Sequence, residues 1–224
     1  MQRTPAEPPP YQIHHYPASL IDSRTLRDGQ RLTLRPVLPQ DCLLLGELLL
    51  GLSPAARQQR FHGALKLSAA RLLEMSCIDY ARQLALVVTA HVDGTERVIA
   101  DARYCVGAGH TAEFALVVDE RWQRHGIGAW ALVALQHAAS AAGVSALQGA
   151  VQCSNVAMLA LAQHCGYSCS EDPADDRQVK VEAPLGSAYP AAPGLRRSAT
   201  TWLARVGLRF QRPLVPRLVT RLAP

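Results

Sequence analysis

"AEFALVVDERWQRHGIGAWALVALQHAASAAG" (residues 112–143) is the stretch on which the fold turns. Its first seven residues are apolar except for Glu113 and read as a strand. A polar bend follows, then Gly126 and Gly128, two positions apart. Beyond them an apolar run continues to about Ala142, where Gly143 stops what reads as a helix. Two glycines between a strand and a helix have two readings. One is a plain turn. The other is a phosphate cradle: a helix start presents unpaired N–H groups and the positive end of its dipole, and a residue without Cβ lets an anion come close. Gln123, Arg124 and His125 would add side-chain donors. The pattern is not a dinucleotide-binding fingerprint, since only two of three glycines are present, nor a P-loop, since no G-K-[ST] follows.

Downstream, "SALQGAVQ" predicts a strand and "SNVAMLALAQHCG" a helix, with Ser154 or Asn155 at its cap and Gly166 past its end. "RQVKVEA" closes the sheet. Upstream, "RLTLRPV" (31–37) alternates at period two and predicts a half-buried strand. Three helices are expected next: one begun near Asp41, one with Ser53 as cap and Pro54 at its first position, and one from Ser68 to about Cys77. "QLALVVTAH" and "RVIADARYC" then read as strands flanking an Asp93-Gly94 hairpin turn. The expected order is β, α, α, α, β, β, β, α, β, α, β. This is an α/β (α+β) chain with a mixed sheet flanked by helices, in one domain over residues 29–189. A Pro-rich leader (1–28) precedes it and a basic tail (190–224) follows.

A hydrophobic content of 49% suits an ordinary globular protein rather than a disordered one. The leader has no apolar core like that of a secretory signal, and "CLLLGELLLGL", broken by Glu47, is too short to cross a bilayer. The expected location is the cytoplasm. The six cysteines form no C-x-x-C pair and are expected to be small buried hydrophobes. The histidines show no metal spacing, and no metal is expected. The net charge of +5 belongs to the tail, whose seven arginines (196, 197, 205, 209, 212, 217, 221) have no acid among them. Taking 7 from +5 leaves −2 for residues 1–189, which argues against a nucleic-acid-binding domain.

Glu113 is one of few acids in an otherwise apolar strand. Period two puts Glu113, Ala115 and Val117 on one face and Phe114, Leu116 and Val118 on the other. A carboxylate on a central strand is costly unless solvated or paired, so Glu113 either faces a cleft or lies in water at a strand end.

Q-x-x-G-x-G after a strand and opening a long helix, then a strand, an Asn at the next helix start and "CGY" at its end, is similar to the GNAT superfamily of acyl-CoA-dependent N-acyltransferases. "RLTLRPVLPQD" looks like that family's opening strand and turn, and the likeness covers about residues 29–184. More narrowly, "TLRDGQRLTLRPVLPQD", "LSPAARQQRF" and "AEFALVVDERWQRHGIG" resemble the acetyltransferase domain of bacterial protein lysine acetyltransferases. Those relatives often carry a synthetase-like region or a nucleotide-sensing domain as well, for which 224 residues leave no room.

The resemblance implies a GNAT-like, mostly antiparallel sheet and acetyl-CoA as co-substrate. The loop Gln123, Arg124, His125, Gly126, Ile127 and Gly128 would hold its pyrophosphate. The backbone of Leu116, Val117 and Val118 would pair with its pantetheine arm, one N–H polarising the thioester carbonyl. Asn155 would help from the neighbouring helix, although a simple cap explains it nearly as well. Glu113 would be the general base, needed because a lysine amine has a pKa of about 10.4. Where many GNAT enzymes have an acid tyrosine, seven residues after the asparagine, this chain has Ala162. Tyr167 reads as core, and no general acid is expected. Arg60 and Phe61 read as a solvated arginine beside a packing phenylalanine, with shaping of the acceptor site as the second reading.

The expected reaction is acetylation of lysine side chains on a protein. Acetylation of a small amine or amino acid, and a non-catalytic acyl-CoA-binding module, are the alternatives. In the tail, Trp202, Val206 and Phe210 recur every four residues beside Arg205, Arg209 and Arg212, the pattern of a basic amphipathic helix. Residues 196–221 have three readings: packing on the domain, docking to an anionic membrane, which would make the protein peripheral to it, and docking to an acidic protein partner.

Overall fold

The computed structural model describes residues 16–61, 67–78, 80–173 and 175–186. At its centre lie β3 (Gln83–Val92) and β4 (Thr95–Val106), whose middles are buried on both faces. They are joined at Asp93 and Gly94, both with positive φ, the two left-handed residues that a tight hairpin demands. β5 (Thr111–Val118) pairs antiparallel with β4 along its length from Ala112. On the other side β2 (Arg31–Pro36) pairs with β3, and β1 (Asp22–Thr25) with β2. Beyond β5 come β6 (Ala146–Gln152), β8 (Gln178–Pro184) and β7 (Ser168–Glu171). The sheet order is β1-β2-β3-β4-β5-β6-β8-β7, and only β5 and β6 run parallel.

Helices cover both faces. α1 (Cys42–Gly51) packs on β4 through Leu45, Leu48 and Leu49, while Leu43 and Leu50 face outward. α2 (Pro54–Phe61) starts where expected, the Ser53 hydroxyl accepting from the Ala56 N–H at 3.1 Å. In α3 (Ala69–Ser76) Ser68 caps in the same way. α4 (Ile127–Ala141) packs against β3, β4 and β5 and buries Leu132 and Leu135. α5 (Val156–His164) lies between β6 and β7 in the chain. The expected mixed, mostly antiparallel sheet with flanking helices is the observed one.

Three expectations need correction. β1 lies inside residues 1–28, so the sheet begins before residue 29. "DSRT" is exposed throughout and has no apolar alternation to announce it. Its place comes from pairing with β2, from a 2.9 Å hydrogen bond of Trp130 Nε1 to Asp22 Oδ2, and from Arg24 stacked 4.7 Å over the Trp130 ring. β7, equally exposed, was also not expected. The cysteines are not uniformly buried: Cys165 is, Cys153 and Cys169 are exposed, and all six are free thiols. Residues 190–224, with the whole arginine-rich tail, lie outside the described residues. No helix among the described residues is long and apolar enough to cross a membrane.

Candidate active site

β5 and β6 are paired only over Thr111–Glu113 and Ala146–Gln148, although β5 runs on to Val118 and β6 to Gln152. Past that point each strand follows its antiparallel partner, β4 for β5 and β8 for β6, and the two part. Phe114 and Gly149 sit just beyond. A Cβ at Gly149 would lie 3.1 Å from Phe114 Cε1 and 3.4 Å from the Phe114 carbonyl oxygen, so only glycine lets the ring lie against β6. The ring packs in turn on Tyr167, centroids 5.0 Å apart.

The wedge opens into a cleft of about 700 Å³. Glu113 is exposed at its apex and lines it. Of the residues the sequence singles out, Leu116, Val117, Val118, Gln123, Arg124, Gly126, Ile127, Gly128 and Asn155 line the same cleft. His125 does not; its Nδ1 lies 2.8 Å from the Gln123 carbonyl oxygen. Backbone direction separates the strand residues. The Asp119 N–H bonds Ile99 on the β4 side, and alternation along an unbroken ladder turns the backbone groups of Leu116 and Val118 the other way, into the wedge. The Val118 carbonyl there accepts from Gln123 Nε2 at 3.2 Å. The Val117 backbone faces β4.

The bend between β5 and α4 is held by Asp119, whose carboxylate accepts from the Arg121 N–H at 3.0 Å and from its guanidinium at 2.6 Å. Arg124 and Gly126 both have positive φ, 68° and 78°, which curls the loop just before the helix. Gly126 is the N-cap of α4, and beyond its own chain neighbours nothing lies within 4 Å of where its Cβ would stand. The cap is open to solvent, and the first turn of this fifteen-residue helix carries no acid. An uncapped helix start with a curled approach is suited to an anion. The curled cap, the cleft and the backbone of Leu116 and Val118 fit an extended phosphate-bearing ligand.

Asn155 accepts from the Met158 N–H at 3.1 Å and so caps α5; its amide oxygen is engaged there. Tyr167 is buried, as is Ala162. On the opposite wall α2 brings Ala56, Gln59, Arg60 and Phe61 to the cleft. Arg60 corrects the expectation of a solvated side chain: it is 10% exposed, and its Nη2 lies 3.4 Å from Asp101 Oδ2.

Residues 78–167 match the model of the "Acetyltransferase (GNAT) family". An acetyltransferase of Pseudomonas aeruginosa is 30% identical over 158 residues, covering 69% of this chain and 84% of the relative. The chain belongs to the acetyltransferase (GNAT) family. "Acetyltransferase Pat" of Mycolicibacterium smegmatis is 31% identical over 173 residues, or 76% of this chain, which spans 51% of that relative's length. Among solved structures, the GNAT domain of S. lividans PAT superposes with a TM-score of 0.69 at 25% identity, covering 76% of this chain and all of that domain. The chain is thus a GNAT N-acetyltransferase, and acetyl-CoA is the co-substrate of its family.

Sequence reasoning missed two carboxylates of this GNAT enzyme that hold the wall of the cleft formed by α2. Asp101 is fully buried and held by Arg103 through Nε at 2.9 Å and Nη2 at 2.6 Å, with Arg60 as its second cation. Burial pushes its carboxyl pKa up, but the charges and hydrogen bonds of Arg103 and Arg60 outweigh that and hold it below the ordinary value. The signal was present: an acid in the apolar strand "RVIADARYC", of the kind that singles out Glu113. Glu120 was missed as well. Its Oε1 accepts from the Ser53 N–H at 3.0 Å, tying the start of α2 to the bend before the loop.

Proposed function

We propose that this enzyme transfers the acetyl group of acetyl-CoA directly to the side-chain amine of a lysine on a protein, with Glu113 as general base. The observation that carries the reading is an exposed carboxylate at the apex of the wedge, lining one cleft with the open start of α4. The likeness of "AEFALVVDERWQRHGIG" and "LSPAARQQRF" to protein lysine acetyltransferases supports lysine over a small amine.

Bound acetyl-CoA supplies an activated acyl thioester. The loop from Gln123 to Gly128 binds its pyrophosphate through backbone N–H groups and the α4 dipole, Arg124 adding charge. Leu116 and Val118 offer the wedge their backbone donors and acceptors, one N–H standing where negative charge builds on the thioester oxygen. Val117 acts by closing the cleft wall, since its backbone is engaged with β4. Asn155 keeps its amide nitrogen for the ligand, and His125 steadies the loop through Gln123. The incoming ammonium must lose a proton before it can attack, and Glu113 accepts it. No acid is assigned to the leaving thiolate: a thiol with a pKa of about 8.5 leaves largely unaided at neutral pH.

The domain is proposed to act in the cytoplasm. Arginines 196–221, free of acids, would dock it to an anionic membrane or an acidic protein surface. The acceptor class is tested by incubation with labelled acetyl-CoA and a whole-cell protein extract, then with a panel of small amines. Label in protein lysines supports the reading; label only in small amines overturns it.

A further inference from the structure

Arg60 is a cation of the cleft wall that is only partly compensated, by Asp101 and by the Phe61 ring, whose centroid lies 4.7 Å from its guanidinium carbon. It lines the same cavity as Glu113 from the last turn of α2, yet its side chain is 10% exposed. A guanidinium has five N–H donors in a planar fork. Among the described residues Arg60 makes one hydrogen bond, the 3.4 Å contact with Asp101, and its buried Nε has no partner. Asp101 cannot neutralise it, because that carboxylate already takes three shorter hydrogen bonds, 2.6–3.2 Å, from Arg103. One buried carboxylate shared by two guanidiniums leaves a surplus of one positive charge. Burial accordingly holds the Arg60 guanidinium below its ordinary pKa; Asp101 opposes this, and the charge of Arg103 adds to it. A half-paired buried cation is costly unless an anion completes it.

The phosphates of the co-substrate do not answer this need, because the loop proposed to take them precedes α4, on the other face of the sheet from Arg60. Cross-strand pairing puts Asp101, Arg103 and Cys105 opposite Val117, Ala115 and Glu113. Arg60 therefore belongs to the face on which Glu113 stands, where an acceptor meets its base.

We infer that Arg60 is a specificity-determining residue that binds a carboxylate on the acceptor, supplied by an acidic side chain next to the target lysine. This rests on the lysine reading above. The fork of Arg60 would take the carboxylate through two N–H groups, which a lysine in its place could not reproduce.

The test uses the full chain and two peptides that differ only in the neighbours of one lysine, aspartate in one and asparagine in the other. The expected kcat/KM ratio is at least about tenfold in favour of the acidic peptide, the worth of a hydrogen bond to a charged group. In Arg60→Gln the ratio falls to about one, with acetyl-CoA binding as the check that the variant is folded; Arg60→Lys lies between. No preference in the wild type overturns the inference without reference to any variant. A preference that survives in Arg60→Gln overturns it too. If neither peptide is acetylated, free lysine is compared with its decarboxylated diamine. Preference for free lysine, lost in Arg60→Gln, then keeps the carboxylate role and moves the failure to the protein-lysine reading. No preference sinks both.

Discussion

Glu113 and Gln148 are the last residues at which β5 and β6 stand side by side. The carboxylate is therefore held by a paired backbone on one side and opens to the cleft on the other. That placement joins rigidity to access, the two properties a base needs when it must meet an amine within hydrogen-bond reach.

The open start of α4 is expected to be the anchor for acetyl-CoA. At a concentration 100 times its dissociation constant, a ligand specific for the folded state adds about 2.7 kcal/mol, which a thermal-shift assay resolves. Gly126→Asp places a side chain on a residue at φ 78° and a negative charge where phosphate would sit. The variant should fold and lose the acetyl-CoA shift. A full shift in Gly126→Asp would contradict the loop assignment.

Gly149→Val tests the wedge itself. Its side chain meets the Phe114 ring and carbonyl, and overpacking of this kind costs about 1–3 kcal/mol. The expected outcome is a lower melting temperature together with weaker acetyl-CoA binding, because Phe114 itself lines the cleft. Unchanged binding in a folded variant would show that the cleft tolerates a shifted Phe114.

Asp101 makes a pH-dependent contribution. Its carboxyl pKa is depressed in the fold, so the stabilisation is complete above the unfolded value of about 3.9 and is lost as pH falls through the lower folded value. Asp101→Asn leaves Arg103 and Arg60 without their shared anion, and breaking a buried pair in this way costs about 3–5 kcal/mol. Urea unfolding should show that loss at pH 7 and a narrowing gap between wild type and variant below about pH 3.9. A gap independent of pH would mean that Asp101 acts by packing alone.

Much of this was legible in the sequence wherever a local rule was sufficient. Ser53 before Pro54, Asp93-Gly94 and the glycines flanking α4 each answer a backbone demand within a few residues, and the elements they bound lie where expected. Glu113 was legible because a charge in an apolar strand needs a reason. β1 and β7 were not, because "DSRT" and "SCSE" carry no apolar face and take their shape from neighbours far along the chain. The Trp130–Asp22 bond spans 108 residues. Arg60 was misread for the same cause: its burial depends on Asp101, 41 residues on, which no window around "RQQRF" contains. Gly149 passed unnoticed because its need for space comes from Phe114 on another strand.

The central claim is that Glu113 takes the proton from the acceptor amine. The measurement is the rate of acetyl transfer to a lysine peptide by wild type and Glu113→Gln from neutral to alkaline pH, with acetyl-CoA affinity determined for both. The account predicts equal affinity, a fall in rate of about 10²- to 10⁴-fold at neutral pH, and partial recovery of the variant toward pH 10 as the amine loses its proton unaided. A Glu113→Gln enzyme that works at the wild-type rate at neutral pH would contradict it.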